Sequence, residues 1–268
     1  MRAHLNRPLV NVRLSEVNEH KRDEHGRQHG FWTFYAGLAA MIVPRKNPEI
    51  SVIIPVWNGE RYLPDAVASV RAQTAAVSEL IVVDDGSTDG TARIAQGLSD
   101  TSYVYQERSG QSVARNLGVS RSRSRLLAFL DADDLWVSNK LERQLQEFDR
   151  NPGLDVVFGH TIQFRERNGA GAAIPVGPAV PAQLPGAMLI RREAFDRVGA
   201  YSSEWRVGEV VDWYARAVDC KLAMATVDDI VLERRLHDDN LGARTENPAD
   251  DYLRIVRSVL VRRRERKT

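Results

Sequence analysis

LAFLDADDLW, residues Leu127–Trp136, runs an apolar stretch straight into three aspartates and then returns to Leu135 and Trp136. Leu127 to Leu130 have the apolarity of a buried strand. Asp131, Asp133 and Asp134 follow at once. Like charges this close repel, so a chain that keeps them at a strand end must compensate them. Asp131 and Asp133 are two apart, and on an extended backbone both side chains point to one side. Carboxylates with no thiolate or paired histidine nearby suit a hard cation, Mg²⁺ or Mn²⁺, which can bridge a diphosphate. The alternative is that the aspartates cap the SNKLERQ helix or pair with Arg115 and Arg125. Asp-x-Asp by itself leaves both open.

Working outward, apolar strand-like runs alternate with helical spacing from Glu49 onward. ISVIIPVW predicts a strand, and RYLPDAVASVRAQ a helix with Leu63, Ala66, Val67 and Val70 on one face. ELIVVDD predicts a second strand; GSTDGTARIAQGL opens with helix-capping residues and continues as a helix. YVYQE, QSVARNLGVSRS, RLLAFLD and SNKLERQLQEF continue as strand, helix, strand and helix, the last capped by Ser138. This α/β alternation implies a parallel sheet with helices on both faces. Ligands of such sheets bind beyond the C-terminal strand ends, where strand order reverses. Asp84–Asp85 and Asp131, Asp133 and Asp134 both stand at such ends.

From about Asn151 the pattern is less regular. DVVFGHTIQF reads as a strand, Arg167–Gly186 as a mobile loop rich in Gly, Ala and Pro, and GAMLIRREAFDRVGAY as strand then helix. VVDWYARAVDC reads as a helix with Cys220 in the core, and IVLERRLH as a late strand. This half is expected to pack on the sheet edge and form the second wall of a cleft. The implied organisation is an extension over 1–48, a main domain over 49–240 in two halves, 49–136 and 137–240, and a C-terminal helix with a basic tail over 241–268.

The chain has 268 residues, 43% of them hydrophobic, which is ample for a core, and a net charge of +1 that implies no nucleic-acid partner. The single cysteine excludes a disulfide within the chain and points to a cytoplasmic location. Up to Gly30 the extension is polar and holds His4, His20, His25 and His29 at spacings that match no metal template, so it reads as weakly ordered. FWTFYAGLAAMIV, Phe31–Val43, is too short to span a bilayer. The tail from Arg257 to Lys267 is basic; it is either a solvated helix end or a contact for anionic lipid, which would place the chain peripherally at the inner membrane face.

SVIIPVWNGERYL, IVVDDGSTDGT, GQSVARNLG and FLDADDLWVSNKLERQ, in this order, resemble the family 2 glycosyltransferases with the GT-A fold. The resemblance is close over Pro48–Leu145 and looser to about Asn240. It implies a Rossmann-like, mostly parallel sheet flanked by helices, with a smaller acceptor-side subregion. It further implies a metal-dependent inverting enzyme that moves sugar from a nucleoside diphosphate sugar, a UDP-sugar first of all, to a hydroxyl of a glycan, a lipid-linked acceptor or a small molecule, in cell-surface polysaccharide synthesis. By the same resemblance Pro55, Trp57 and Asn58 line the base and ribose, with Trp57 where Tyr is commoner. Asp84 and Asp85 stand at the nucleotide, Asp85 accepting from the base N–H. Gly110, Arg115 and Asn116 belong to the helix that buttresses nucleotide and metal loop. Asp133 is the principal metal ligand, Asp131 touches ribose or metal, and His237 of RRLHDDN approaches the metal or diphosphate. A hydrogen-bonded strand-end histidine is the other reading of His237.

Glycosyl transfer also needs a carboxylate within reach of the acceptor hydroxyl. VGEVVDWYARA supplies Glu209 and Asp212, three apart and hence on one helix face. The family often has Gly-Glu-Asp here, with that Asp as base; this chain has Val210. Asp212 is the first candidate for the base, with Glu209 orienting the acceptor or supporting the metal, or the reverse. Trp205 and Trp213 flank this segment, as sugar-stacking faces or as core. Gly186 in LPGAMLIRREAF allows close backbone approach, and Arg191 and Arg192 either reach the diphosphate or form surface ion pairs. A sugar-nucleotide-binding or regulatory module without turnover is the competing reading. A nucleotidyltransferase is disfavoured, because PVWNGERYLP is not a Gly-rich phosphate loop.

Overall fold

The structure is a computed structural model describing residues 49–166, 173–205, 207–237 and 248–265, all within one compact unit over 47–268. The extension with its four histidines, the Phe31–Val43 segment, residues 167–172, residues 238–247 and the last residues of the basic tail lie outside the described residues.

Strand β1 (Ile50–Val56) leads to helix α1 (Leu63–Arg71), β2 (Glu79–Asp85), α2 (Thr91–Gln96), β3 (Ser102–Gln106), α3 (Gln111–Arg121) and β4 (Leu126–Phe129). β5 (Leu135–Trp136), α4 (Lys140–Arg150), β6 (Val156–Glu166), β7 (Ala173–Ala182), a 3-10 turn at Pro185–Ala187, β8 (Leu189–Arg191), α5 (Arg192–Val198), α6 (Glu209–Asp219), β9 (Met224–Arg235) and α7 (Pro248–Glu265) follow. The sheet order is β3-β2-β1-β4-β8-β6-β9-β5, with β7 beside β6. β3, β2, β1 and β4 are mutually parallel. Beyond β4 the sheet is mixed: β8 is antiparallel to β4 and β6, whereas β6 and β9 are parallel.

Two-residue alternation sorts each central strand between two cores. Val52, Ile54, Val82 and Ala128 pack under α1, α2 and α4, with Leu63, Val67, Ala95 and Leu141. Ile53, Ile81, Val83, Leu127 and Phe129 pack under α3, α5 and α6, with Ala114, Phe195 and Trp213. α3 lies close against β1, because a Cβ on Gly118 would stand 2.3 Å from Ile53 Cγ2. Order reverses between β1 and β4, so the crevice falls at the ends of these strands.

Four local expectations are corrected. β7 occupies most of the stretch expected to be a loop. It pairs only with β6, so Pro175, Pro178 and Pro181 are tolerated on an edge, and its apolar Ile174, Val176 and Val180 are exposed and give no burial pattern. β9 begins at Met224, ahead of the expected Ile230. Helix α4 is entered through Asn139, not Ser138, and no side chain caps it. Cys220 closes α6 as a partly exposed C-cap residue that packs against the margin of the second core, its Sγ 3.7 Å from the Arg197 carbonyl, and is not fully buried.

Candidate active site

The ends of β1, β2 and β4 open on a cavity of about 330 Å³ whose wall includes Pro55, Trp57, Asn58, Asp85, Asp131, Asp133 and His237. The nucleotide-side and acidic-loop residues expected to meet therefore do so, with four exceptions among the candidates. Asp84 is fully buried and holds the following turn, accepting from the Ser87 N–H at 2.9 Å and the Tyr103 hydroxyl at 2.9 Å. Burial, with Asp84 beside it, pushes the Tyr103 phenol up to about 12. Asn116 exchanges two hydrogen bonds with the backbone of Tyr201, at 2.8 and 3.0 Å, and so buttresses the acceptor half. Gly110 and Arg115 line neighbouring cavities.

Within the first cavity, Asp85 sits on the floor with both oxygens engaged. Oδ1 accepts from Gln106 Nε2 at 2.7 Å and the Ser109 N–H at 2.7 Å; Oδ2 accepts from Arg108 Nη1 at 3.1 Å and the Gly110 N–H at 2.9 Å. Asp85 thereby holds the 106–110 loop while lining the cavity. Arg108, which drew no attention in the sequence, lines the same cavity and lies 3.5 Å from the Trp57 ring centroid. A basic residue two positions after β3 was the available signal. Asn58 takes the left-handed region at φ 50° and accepts from the Thr88 N–H at 2.8 Å, tying the loop after β1 to that after β2.

The three aspartates of the opening segment each have a different partner. Asp131 Oδ1 accepts from Arg115 Nη2 at 2.8 Å and Gln111 Nε2 at 2.9 Å. Asp133 Oδ2 lies 2.9 Å from His237 Nε2. Asp134 accepts from the Arg235 N–H at 2.9 Å, while Arg235 Nε donates to the Asp133 carbonyl at 2.9 Å. Arg235 thereby fixes the acidic turn to the end of β9. Burial, reinforced by the charge of Asp131, pushes the Asp133 carboxyl above its ordinary value despite His237. Burial and then Asp133 and Asp131 push Asp134 up much further. Asp131, Asp133 and His237, two carboxylates and an imidazole on one rim, are the residues that could hold a hard divalent ion together with a diphosphate. Among the described residues no cluster of three acidic, histidine or cysteine side chains would enclose an ion without it.

A second cavity, about 180 Å³, shares Gln111, Asp131 and Asp133 with the first and adds Arg115, Gly186, Glu209, Val210 and Arg234. Arg115 is fully buried and forks between Asp131 and Glu209, with Nη1 donating to Glu209 Oε1 at 2.9 Å. Burial works against its charge, but the two carboxylates hold its pKa above the ordinary arginine value. Gly186 lines this cavity, a Cβ there would stand 3.0 Å from Leu232 Cδ1, and its carbonyl accepts from Trp136 Nε1 at 2.8 Å.

Asp212 does not join this cavity. It is 2% exposed and gripped by Arg216 Nε and Arg262 Nη2, both at 2.9 Å. The first candidate for the base is therefore a buried ion-pair centre linking α6 to α7, and Glu209 is the carboxylate that faces the cleft. Trp213 is core, stacked on Phe195. Arg191 and Arg192 bind backbone carbonyls of 119–154 near the start of β4, at the sheet edge opposite the cleft, and reach no diphosphate site.

Residues 51–199 match the family model described as glycosyl transferase family 2. TuaG of Bacillus subtilis strain 168, named for teichuronic acid biosynthesis, is 45% identical over 105 residues, 37% of this chain and 42% of TuaG. Glycosyltransferase AglE of Haloferax volcanii is 30% identical over 203 residues, 69% of this chain and 66% of AglE. The chain thus spans less than half of the first of these relatives and about two thirds of the second. Among solved structures, S. aureus TarS in complex with UDP-GlcNAc matches with a TM-score of 0.65 at 20% identity, over 80% of this chain and 66% of that one. This likeness shows the shared GT-A fold.

Proposed function

The chain belongs to glycosyl transferase family 2, and on that premise we propose that it transfers a sugar from a UDP-sugar to an acceptor hydroxyl with inversion at C1. The observation that carries the reading is the meeting of two cavities across Gln111, Asp131 and Asp133, below an acidic strand edge. Trp57, Asn58 and Asp85 would frame the nucleotide in the first cavity. Asp133, Asp131 and His237 would hold Mn²⁺ or Mg²⁺ at the diphosphate; the ion, when bound, supplies a Lewis acid for the charge that develops on the leaving group. Arg115 fixes the Asp131 and Glu209 carboxylates relative to each other. Glu209 would take the acceptor's proton in the second cavity. Attack from there, on the face away from the diphosphate, inverts C1.

TarS was solved with UDP and with UDP-GlcNAc, which supports a UDP-sugar donor, and TuaG is named for teichuronic acid biosynthesis, which supports a glycan acceptor. Among the described residues no helix is long and apolar enough to cross a membrane. Peripheral contact would come from α7, whose outer face exposes Leu253, Val256 and Leu260 among arginines.

Nucleotide release from a panel of UDP-sugars with Mn²⁺ tests the proposal. Turnover abolished by Asp133→Asn is expected, and no release from any donor counts against it. Val210, beside Glu209 in the second cavity, favours one rival: a module that binds sugar nucleotide without transfer. Tight UDP binding by calorimetry with no turnover on any acceptor would support that rival.

A further inference from the structure

Gln111 is, among the described residues, the one side chain in the walls of both cavities and of a third, about 180 Å³, beside Ser203 and Trp205. It opens α3 and donates from Nε2 to Asp131 Oδ1 at 2.9 Å. A carboxylate only accepts, so this bond sets the flip of the amide: the NH2 faces Asp131 and the carbonyl faces elsewhere. Gln111 Oε1 has no hydrogen-bond partner among the described residues and is not sealed from solvent. It is a neutral acceptor held in one orientation with open space before it. The two carboxylates shared by the first two cavities are already engaged, Asp131 by Arg115 and Asp133 by His237.

Position decides what meets that acceptor. On the transferase reading, the anomeric carbon is bonded to a diphosphate at Asp131, Asp133 and His237 and must also face Glu209. That places C1 at the border between the two cavities, where Gln111 stands. The C2 substituent is the polar group of the sugar ring nearest to C1. A hydroxyl or an acetamido N–H there donates to a carbonyl oxygen; a C2 methylene displaces its water and leaves it unpaired.

We propose that Gln111 is a specificity-determining residue: its Oε1 accepts from the C2 substituent of the transferred sugar and selects donors with a hydroxyl or acetamido N–H there over 2-deoxy sugars. The assignment rests on the transferase reading and adds to it a residue and a class of donor. The plainer role for Gln111 is to brace Asp131, which would leave the sugar unread.

Calorimetry with Mn²⁺ separates the two roles without an acceptor. The probes are UDP itself, UDP-glucose and UDP-GlcNAc against UDP-2-deoxyglucose, and UDP-galactose against UDP-2-deoxygalactose. The parent is expected to bind at least one intact donor about tenfold more tightly than its deoxy counterpart, the effect of one hydrogen bond. Gln111→Met removes the amide at similar volume, and there the preference should vanish. Gln111→Asn, the second variant, draws the amide back by one methylene and should lose most of it. The readout is the ratio of the two affinities within one protein, and UDP binding reports that each variant is folded. Equal affinities for intact and deoxy donors in the parent overturn the assignment and leave the transferase reading standing. A preference that persists in both variants, with UDP itself bound more weakly, also overturns it and marks Gln111 as a brace for Asp131. A parent that binds neither UDP nor any of these donors sinks the transferase reading and the assignment with it.

Discussion

The guanidinium of Arg115 donates to the carboxylate of Glu209 at 2.9 Å across 94 residues of sequence. The same guanidinium holds Asp131 at 2.8 Å, so one buried cation joins the acidic loop after β4 to the start of α6. Arg115→Met leaves Glu209 buried without its ion-pair partner. Breaking a buried pair by removing one partner costs about 3–5 kcal/mol. Urea unfolding should show a loss of this order. Arg115→Lys, which keeps the charge without the fork, should restore part of the stability and little turnover. An unchanged midpoint for Arg115→Met would refute the bridging role.

Glu209 and Asp212 should separate cleanly. Glu209→Gln keeps its shape and hydrogen bonding but cannot take a proton; turnover should fall by about 10²–10⁴-fold with the fold intact. Asp212→Asn strips the charge that Arg216 and Arg262 share. Its main effect should be on stability, on the order of 3 kcal/mol, with turnover per folded molecule close to the parent's. Equal turnover losses in two well-folded variants would return Asp212 to the catalytic candidates.

Chelation should weaken donor binding more than it disturbs the fold. UDP titrated with Mn²⁺ and then with excess EDTA should lose at least about tenfold in affinity, the loss a weakened metal site commonly shows. Asp133→Asn should bring the Mn²⁺-containing titration to the chelated value. Because Asp133 also meets His237 at 2.9 Å, His237→Gln should fall between parent and Asp133→Asn. Identical affinities with and without the ion would exclude the metal from the binding step.

Glu79 makes stability depend on acid. Burial raises its pKa, but the Arg123 amide, the Ser51 and Ser124 hydroxyls and the Ser124 amide outweigh burial and hold it below the ordinary glutamate value. A depressed folded-state pKa gives stability that is present above the unfolded value and lost as pH falls through the folded one. Glu79→Gln should therefore be clearly less stable than the parent near neutral pH. The gap should close as the pH drops below the usual glutamate range, in urea melts taken at several pH values. A gap independent of pH would show that shape, not charge, matters at this site.

Vesicle sedimentation examines α7. Leu253, Val256 and Leu260 are exposed on one side of the helix, near Arg257 and Arg264. An apolar row flanked by arginine favours the surface of an anionic bilayer. The chain should sediment with phosphatidylglycerol vesicles more than with phosphatidylcholine, and replacing the three apolar residues with serine should abolish the difference. Equal sedimentation by parent and variant would leave α7 without a lipid role.

The amino-acid sequence by itself determined the nucleotide half. Continuous apolar runs in β1, β2 and β4 and helical spacing in α1 dictate buried strands and packed helices, and acidic strand ends mark the crevice. These signals are local, and the local rule and the global fold agree there. β7 was illegible because an edge strand with exposed side chains and prolines carries no burial pattern. Only the tertiary structure decided which carboxylate faces the cleft. Glu209 and Asp212 are equivalent by helical spacing, and arginines 94 and 50 residues distant, Arg115 and Arg262, draw them to different places. The same holds for Asp84, taken by Tyr103. Spacing fixes the face on which a charge emerges; which opposite charge waits there depends on contacts between residues far apart in the chain.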